Sequence, residues 1–320
     1  MEERLLYNDF SRYMRRIFPN FKVQKISIDA GFTCPNRDGT VGRGGCTYCN
    51  NCTFNPDYCH AEKSVARQLT EGKLFFSRKY PKMKYLAYFQ AYTNTYGELE
   101  HLKSLYLEAL AQEGIVGLII GTRPDCMSDE LLDFLQQLSQ KIYVEVEYGI
   151  ESTNDTTLKR INRGHDFATS IDAIRRTAER GIVVGGHVIL GLPGEDHDEL
   201  MHQTTLINEL SLTIIKIHQL QIIRGTRLAL EYEEHPEDFH LYQVDEYVDL
   251  VIDYIEHLRP DIVVERFVSQ SPKELLIAPD WGLKNYEFTE KVKKRMKRRD
   301  SYQGKALDCE PFLNKTIFRI

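Results

Sequence analysis

The chain has 320 residues, 42% hydrophobic and 28% charged, and its 41 basic and 47 acidic side chains leave a formal net charge of −6. That is the composition of a soluble globular protein, and the charge balance excludes nucleic-acid binding driven by overall charge. No run of eighteen apolar residues occurs, the N-terminus MEERLLYNDFSRYMRRIF has acids at once and no apolar h-region, and seven cysteines crowd towards one end; these features exclude a membrane span and a disulfide framework and predict a cytoplasmic, metal-binding protein.

The first predicted element is a short helix over Asn8 to Ile17, stopped by Pro19, because proline cannot donate to the helical ladder and restricts its neighbour. Val23 to Ile28 alternates as a strand and delivers the chain to a glycine- and asparagine-rich stretch holding five cysteines between Cys34 and Cys59. A rhythm then repeats. Strand-like runs at Tyr85 to Phe89, Val116 to Ile120, Tyr143 to Tyr148, Val183 to Leu190, Ile214 to His218 and Ile262 to Val264 alternate with helical segments near Ser64 to Lys79, Glu98 to Gln112, Asp129 to Gln140, Phe167 to Arg180, Asp196 to Leu210 and Val244 to Leu258. Strands spaced by such helices imply βαβ units, right-handed crossovers and a parallel sheet. The predicted fold is α/β, a partial or near-complete parallel (βα)6 barrel over residues 22–260. An N-terminal helical extension (1–21) and a C-terminal extension with a basic helix (261–320) complete the expected organisation. Chemistry in such barrels gathers at the C-terminal ends of the strands.

The cysteines carry the first functional signal. Structural zinc takes paired CxxC motifs or a pair with two spaced histidines, and neither occurs. The two-cluster ferredoxin run also fails, since six residues separate Cys52 from Cys59 and no proline follows. What remains is Cys34, eleven residues, Cys46, two residues and Cys49, with Tyr48 just before the last thiol. Three thiolates hold three irons of a cubane and leave the fourth open to a chelating molecule. This spacing, with an aromatic before the final cysteine, resembles the radical S-adenosylmethionine (SAM) superfamily. The fuller string CPNRDGTVGRGGCTYC resembles its YtqA/YhcC-like branch, related to the elongator catalytic subunit. The resemblance implies a 4Fe-4S cluster on Cys34, Cys46 and Cys49 that cleaves SAM reductively to a 5'-deoxyadenosyl radical. Cys46, Cys49 and Cys52 form a competing triplet; Tyr48 and the match around Cys34 favour the first. Cys52 and Cys59 are otherwise expected to be inert, and Cys126 and Cys309 to be buried, isolated thiols.

Further strings lie just past the predicted strands. Gln90, Tyr92 and Thr93 stand where relatives carry a glycine-rich segment for the cofactor amino group. Gly121 to Asp125 resembles the elongator-like TRPD string, although helix capping by Asp125 or Ser128 accounts equally for its acids. In Tyr143 to Glu151, period-two alternation puts Glu145 and Glu147 together on one face of a strand whose position calls for apolar residues on both. Either they meet cations across the barrel, with Lys216, His218 and Arg266 as candidates, or they hold polar groups of a ligand. Glu151 belongs to a GIES string resembling a ribose-contacting segment. Asn162 to His165, NRGH, resembles a motif whose arginine, here Arg163, pairs with the cofactor carboxylate, a task suited to a planar bidentate fork. Gly191 to Glu195 resembles the superfamily GLPGE string, and His187 takes a place where relatives often carry a cofactor-facing acid. The expected cofactor-binding residues are therefore Tyr48, Gln90, Tyr92, Glu151, Arg163 and His187, and Lys216 and His218 are the expected catalytic pair.

Lys291 to Arg299 carries seven cations in nine positions. Such a cluster releases counterions from a phosphate backbone, or else forms a solvated helix face. With the elongator-like strings, it makes the side chain of a wobble uridine in tRNA the expected substrate. A small metabolite or protein substrate, and a non-catalytic iron-sulfur or zinc module, are the alternatives. An electron donor such as a flavodoxin or ferredoxin is the further expected partner.

Overall fold

The computed structural model describes residues 5–50, 53, 55–77 and 82–307. Seven parallel strands form its sheet: β1 (Val23–Ile28), β2 (Lys84–Phe89), β3 (Ile115–Thr122), β4 (Tyr143–Glu151), β5 (Val183–Leu190), β6 (Ile214–Gln219) and β8 (Val263–Arg266), each paired with the next in that order. A two-residue β7 (Ile222–Ile223) and β9 (Leu276–Ala278) pair antiparallel beside it. Helices α3 (Val65–Ser77), α4 (Leu99–Leu110), α5 (Asp129–Ser139), α7 (Phe167–Glu179), α8 (His197–Glu209) and α10 (Val244–Glu256) make the crossovers. The predicted rhythm therefore stands, with β4 continuing three residues beyond its predicted end through a register shift at Gly149.

The sheet is rolled into an open, partial barrel. Seven flat strands about 4.8 Å apart would put the outer two about 29 Å from each other. Instead Lys25 of β1 meets Glu265 of β8 at 2.7 Å. At that opening the N-terminal segment meets both edges: Asn8 O accepts from Val264 N of β8 at 2.8 Å, and the Phe10 ring lies 4.5 Å from the Lys25 ammonium of β1.

The two faces of the sheet differ in chemistry. Outward residues such as Ile26, Phe89, Val146, Val184 and Ile217 are buried under the helices. Gly72 lets α3 sit on β1, since a Cβ there would lie 2.4 Å from Ile26. Inside, α1 (Phe10–Ile17), N-capped by Asp9, plugs one end. Its Met14 packs with Leu86, Tyr88 and Ile119, flanked by Phe10, Tyr13 and Tyr143. Above this plug the interior is polar. The remaining helices are α2 (Pro35–Asp38), α6 (Asp155–Arg160), α9 (Arg227–Glu234) and α11 (Asn285–Arg298).

Candidate functional site

The polar interior begins with β4. Its alternation turns Glu145 and Glu147 inward, and both are fully buried. Gly185 of β5 leaves room for them, because a Cβ there would crowd the Glu147 methylene and the Glu145 carboxyl. Glu147 is held from three sides: Lys216 at 2.6 Å, Lys25 at 3.0 Å and His187 at 3.0 Å. Burial opposes its ionisation, but Lys216, Lys25 and His187 together keep its carboxyl well below the usual range. Glu145 lies 3.9 Å from Lys25 and accepts from the Tyr143 hydroxyl at 2.6 Å. Burial, against the pull of Lys25 and with the repulsion of Glu147, pushes Glu145 up to about 8. At neutral pH Glu145 therefore carries a proton, which lets two carboxyls coexist in one dry site. Glu145, Glu147 and Glu265 present oxygens within 4.8 Å of one another. The Lys25 ammonium sits among those oxygens and supplies the cation they need.

Directly above lies a cavity at the C-terminal ends of the strands, enclosing about 1230 Å³ of space that includes open solvent. Ten of the eleven expected site residues line it: Cys34, Cys46, Cys49, Tyr48, Gln90, Tyr92, Glu151, Arg163, His187 and His218. Lys216 does not. It is 3% exposed, donates to Glu147 and Tyr88, and acts on the cavity only through them.

The cysteine loop leaves β1 and is fastened over the cavity. Cys34 caps the short α2, which ends at Gly39 with φ 98°. Asn36 Nδ2 donates to Asn162 O at 2.5 Å and lies 3.7 Å from Cys46 Sγ; Thr47 N donates to Ile161 O; Arg37 donates to Cys49 O. These bonds tie the loop to the NRGH turn, where Asn162 adopts φ 53° and donates back to Gly45 O. Among the described residues no set of three ligand atoms within 4.8 Å involves cysteine. Cys34, Cys46 and Cys49 all line the cavity, a three-thiolate donor set one short of the four that complete an iron-sulfur cluster. Burial, then the neighbouring Cys46, push Cys49 up to about 11. Cys59 is buried outside the cavity lining. Cys126 is only half-buried and lies close enough to Cys34 to feel its charge, so it is less isolated than expected. Cys52 and Cys309 fall outside the described residues.

Backbone strain concentrates at the rim. Glu151 and Tyr92 have φ of 67° and 60°, conformations costly for side chains with a Cβ. Glu151 lies 3.7 Å from Arg163, whose Nη1 is 3.5 Å from Cys46 Sγ and whose Nη2 donates to Gly149 O. A Cβ on Gly149 would stand 2.5 Å from the Glu151 carboxylate and 2.6 Å from the Arg163 guanidinium, so a side chain there would push the ends of this pair aside. Arg163 Nε is buried without a partner among the described residues. Arg123 lines the same wall, forked onto Asp125 at 2.8 and 2.9 Å, with Nη1 unpartnered. His187 and His218 stack with centroids 5.3 Å apart. Burial lowers both, with Glu147 partly offsetting this at His187 and Arg266 deepening it at His218, and both rings are neutral. Sequence reasoning missed Arg37, Gln221, Ser269 and Ser271 as lining residues. It placed Arg266 among partners for the strand acids, whereas Arg266 hydrogen-bonds His218. Arg37 was legible in principle, lying inside the CPNRDG string.

The basic run forms the end of α11, but it is not one free face. Arg295 pairs with Asp245 and Asp249, and Arg299 with Asp249 and Asp253, all on α10. Lys294, Lys297 and Arg298 are exposed and make no ion pair among the described residues; with Lys291 they line a shallow basic depression.

The chain matches the Radical SAM superfamily over residues 36–204 and the Radical_SAM C-terminal domain over residues 212–298. It is 36% identical to the uncharacterized protein YtqA of Bacillus subtilis (strain 168), covering 93% of this chain and 92% of that one. It is 38% identical to protein YhcC of Escherichia coli (strain K12), covering 88% and 89%. A tRNA uridine(34) acetyltransferase of Methanocaldococcus infernus is 27% identical over 59% of this chain and 34% of its own. Among solved structures, archaeal Methanocaldococcus infernus Elp3 with an N-terminal deletion superposes with a TM-score of 0.67 at 18% identity. The match covers 88% of this chain and 64% of that one, a likeness of fold.

Proposed function

The chain belongs to the radical SAM superfamily, whose cofactors are a 4Fe-4S cluster and SAM, and from that premise we propose that it modifies the C5 side chain of the wobble uridine in tRNA. The observation that carries the chemical half of this reading is the convergence of Cys34, Cys46 and Cys49 on one cavity at the C-terminal ends of a rolled parallel sheet. When bound, the cluster and SAM supply an electron and a 5'-deoxyadenosyl radical able to take hydrogen from an unactivated carbon. The residues present fit that pair. Three sulfur donors would hold the cluster, and Arg163 and Arg123 line the same cavity, each with a buried guanidinium nitrogen that has no partner among the described residues.

In this reading Arg163, aimed by Gly149 O and Glu151, binds the carboxylate of SAM through its guanidinium fork. Glu151 takes the ribose hydroxyls, and Tyr48, Gln90 and Tyr92 complete the cofactor wall. Gln90 is oriented by the Ser27 hydroxyl at 2.9 Å. His187 and His218 border the substrate as neutral rings. Lys216 is a positioning residue that fixes Glu147, and through it His187.

Support for the substrate is of another kind: partial similarity to tRNA uridine(34) acetyltransferases, and the basic depression of α11. A flavodoxin- or ferredoxin-like protein would deliver the electron. Mass spectrometry of tRNA nucleosides from cells lacking the protein tests the substrate. Loss or truncation of a wobble-uridine side chain is expected, and an unaltered nucleoside profile would refute it.

A further inference from the structure

Three cations project inside the strands: Lys25, Lys216 and Arg266. The two lysines hold Glu147 and Glu265 between them. Arg266 meets no carboxylate among the described residues. Its Nη2 donates to His218 Nε2 at 3.0 Å, and its Nε is buried with no partner among those residues. With Nε2 as acceptor, the neutral imidazole keeps its proton on Nδ1 and offers the guanidinium no counter-charge. Lys25 and Lys216 are matched by carboxylates, whereas Arg266 stands at the cavity wall with none among the described residues.

The surroundings of Arg266 are built from strand ends. Gln219 clamps the segment after β8 onto β6, its amide bonded to both Ser269 O at 3.0 Å and Ser269 N at 2.8 Å. Gln221 accepts from the Ser271 hydroxyl at 2.8 Å, which leaves its NH2 group as an unused donor on the same wall. A cation drawn out of bulk water without a partner is unfavourable, and a guanidinium with a free edge is suited to a carboxylate or phosphate. We propose that this wall is a subsite for an anionic group of the substrate, a carboxylate or a phosphate, gripped by the Arg266 fork with the Gln221 amide as a second donor. The assignment rests on reading the cavity as the reaction chamber.

The test is thermal unfolding of the anaerobically reconstituted protein at fixed ionic strength, with chloride replaced by acetate or by inorganic phosphate. An anion present at about ten times its Kd should raise Tm by about 2 °C, and whichever anion acts at lower concentration identifies the class. Arg266→Met should abolish the rise and Arg266→Lys should keep part of it. The rise should persist in the unsubstituted protein saturated with SAM. Its disappearance there would mean that the cofactor's own carboxylate occupies Arg266, which overturns the assignment. So would an equal rise in Arg266→Met, or none in the unsubstituted protein. If Arg266→Met does not fold, Gln221→Leu carries the test, with a several-fold weaker anion response expected and an unchanged one contradicting the proposal. Release of 5'-deoxyadenosine by the unsubstituted protein scores the radical reading separately.

Discussion

Glu147 and Glu145 are adjacent inward residues of one strand, yet their environments drive them apart. Glu147, bonded to two ammonium groups and an imidazole, stays ionised; removing its charge leaves those cations uncompensated. Glu147→Gln should therefore destabilise the protein by about 3–5 kcal/mol, read as a shift in denaturant midpoint. Glu145 titrates the other way. Its folded pKa, about 8, lies above the unfolded 4.5, so its contribution is fully present below 4.5 and is lost as pH rises towards 8. Glu145→Gln should flatten that fall, and identical stability-pH curves for the two proteins would contradict the assignment. Alternation along Tyr143 to Glu151 announced these acids, but not which one keeps its proton. That depends on Lys25 and Lys216, 122 and 69 positions from Glu147 along the chain, and no local pattern encodes such meetings. Gly149 was likewise legible only as part of a string; the reason for a glycine there appears once Glu151 and Arg163 are in place. Gly149→Ala should displace Arg163 and weaken SAM binding at least tenfold by equilibrium titration.

Among the elements, the helices and strands were legible because their periods are long and clean. The role of α1 was not. Phe10, Tyr13 and Met14 read as one face of an ordinary amphipathic helix, and only the rolled sheet gives that face an interior to fill. Met14→Ala should cost about 2–4 kcal/mol through the cavity it opens in the plug. The basic helix shows the opposite discrepancy. Seven clustered cations suggested one electropositive face, yet acids spaced four apart on α10 engage Arg295 and Arg299. If α11 meets tRNA, neutralising Lys294, Lys297 and Arg298 should reduce the slope of log K against log salt by about 2–3 in filter binding. An unchanged slope would remove α11 from the interface.

For the whole molecule, the barrel was readable from the alternation of strands and helices, and its functional end from the rule that chemistry collects where parallel strands finish. The curvature that brings Lys25 to Glu265 was not, since it follows from twist accumulated over seven strands. That same curvature produces the polar floor, the cavity above it and the rim over which the cysteine loop is fastened. The most direct measurement is release of 5'-deoxyadenosine from SAM by the anaerobically reconstituted protein reduced with dithionite. The account predicts release by the unsubstituted protein and by Cys59→Ser, and none by Cys34→Ser, Cys46→Ser or Cys49→Ser. Absence of release from the unsubstituted protein, or its survival in any of those three variants, would contradict it.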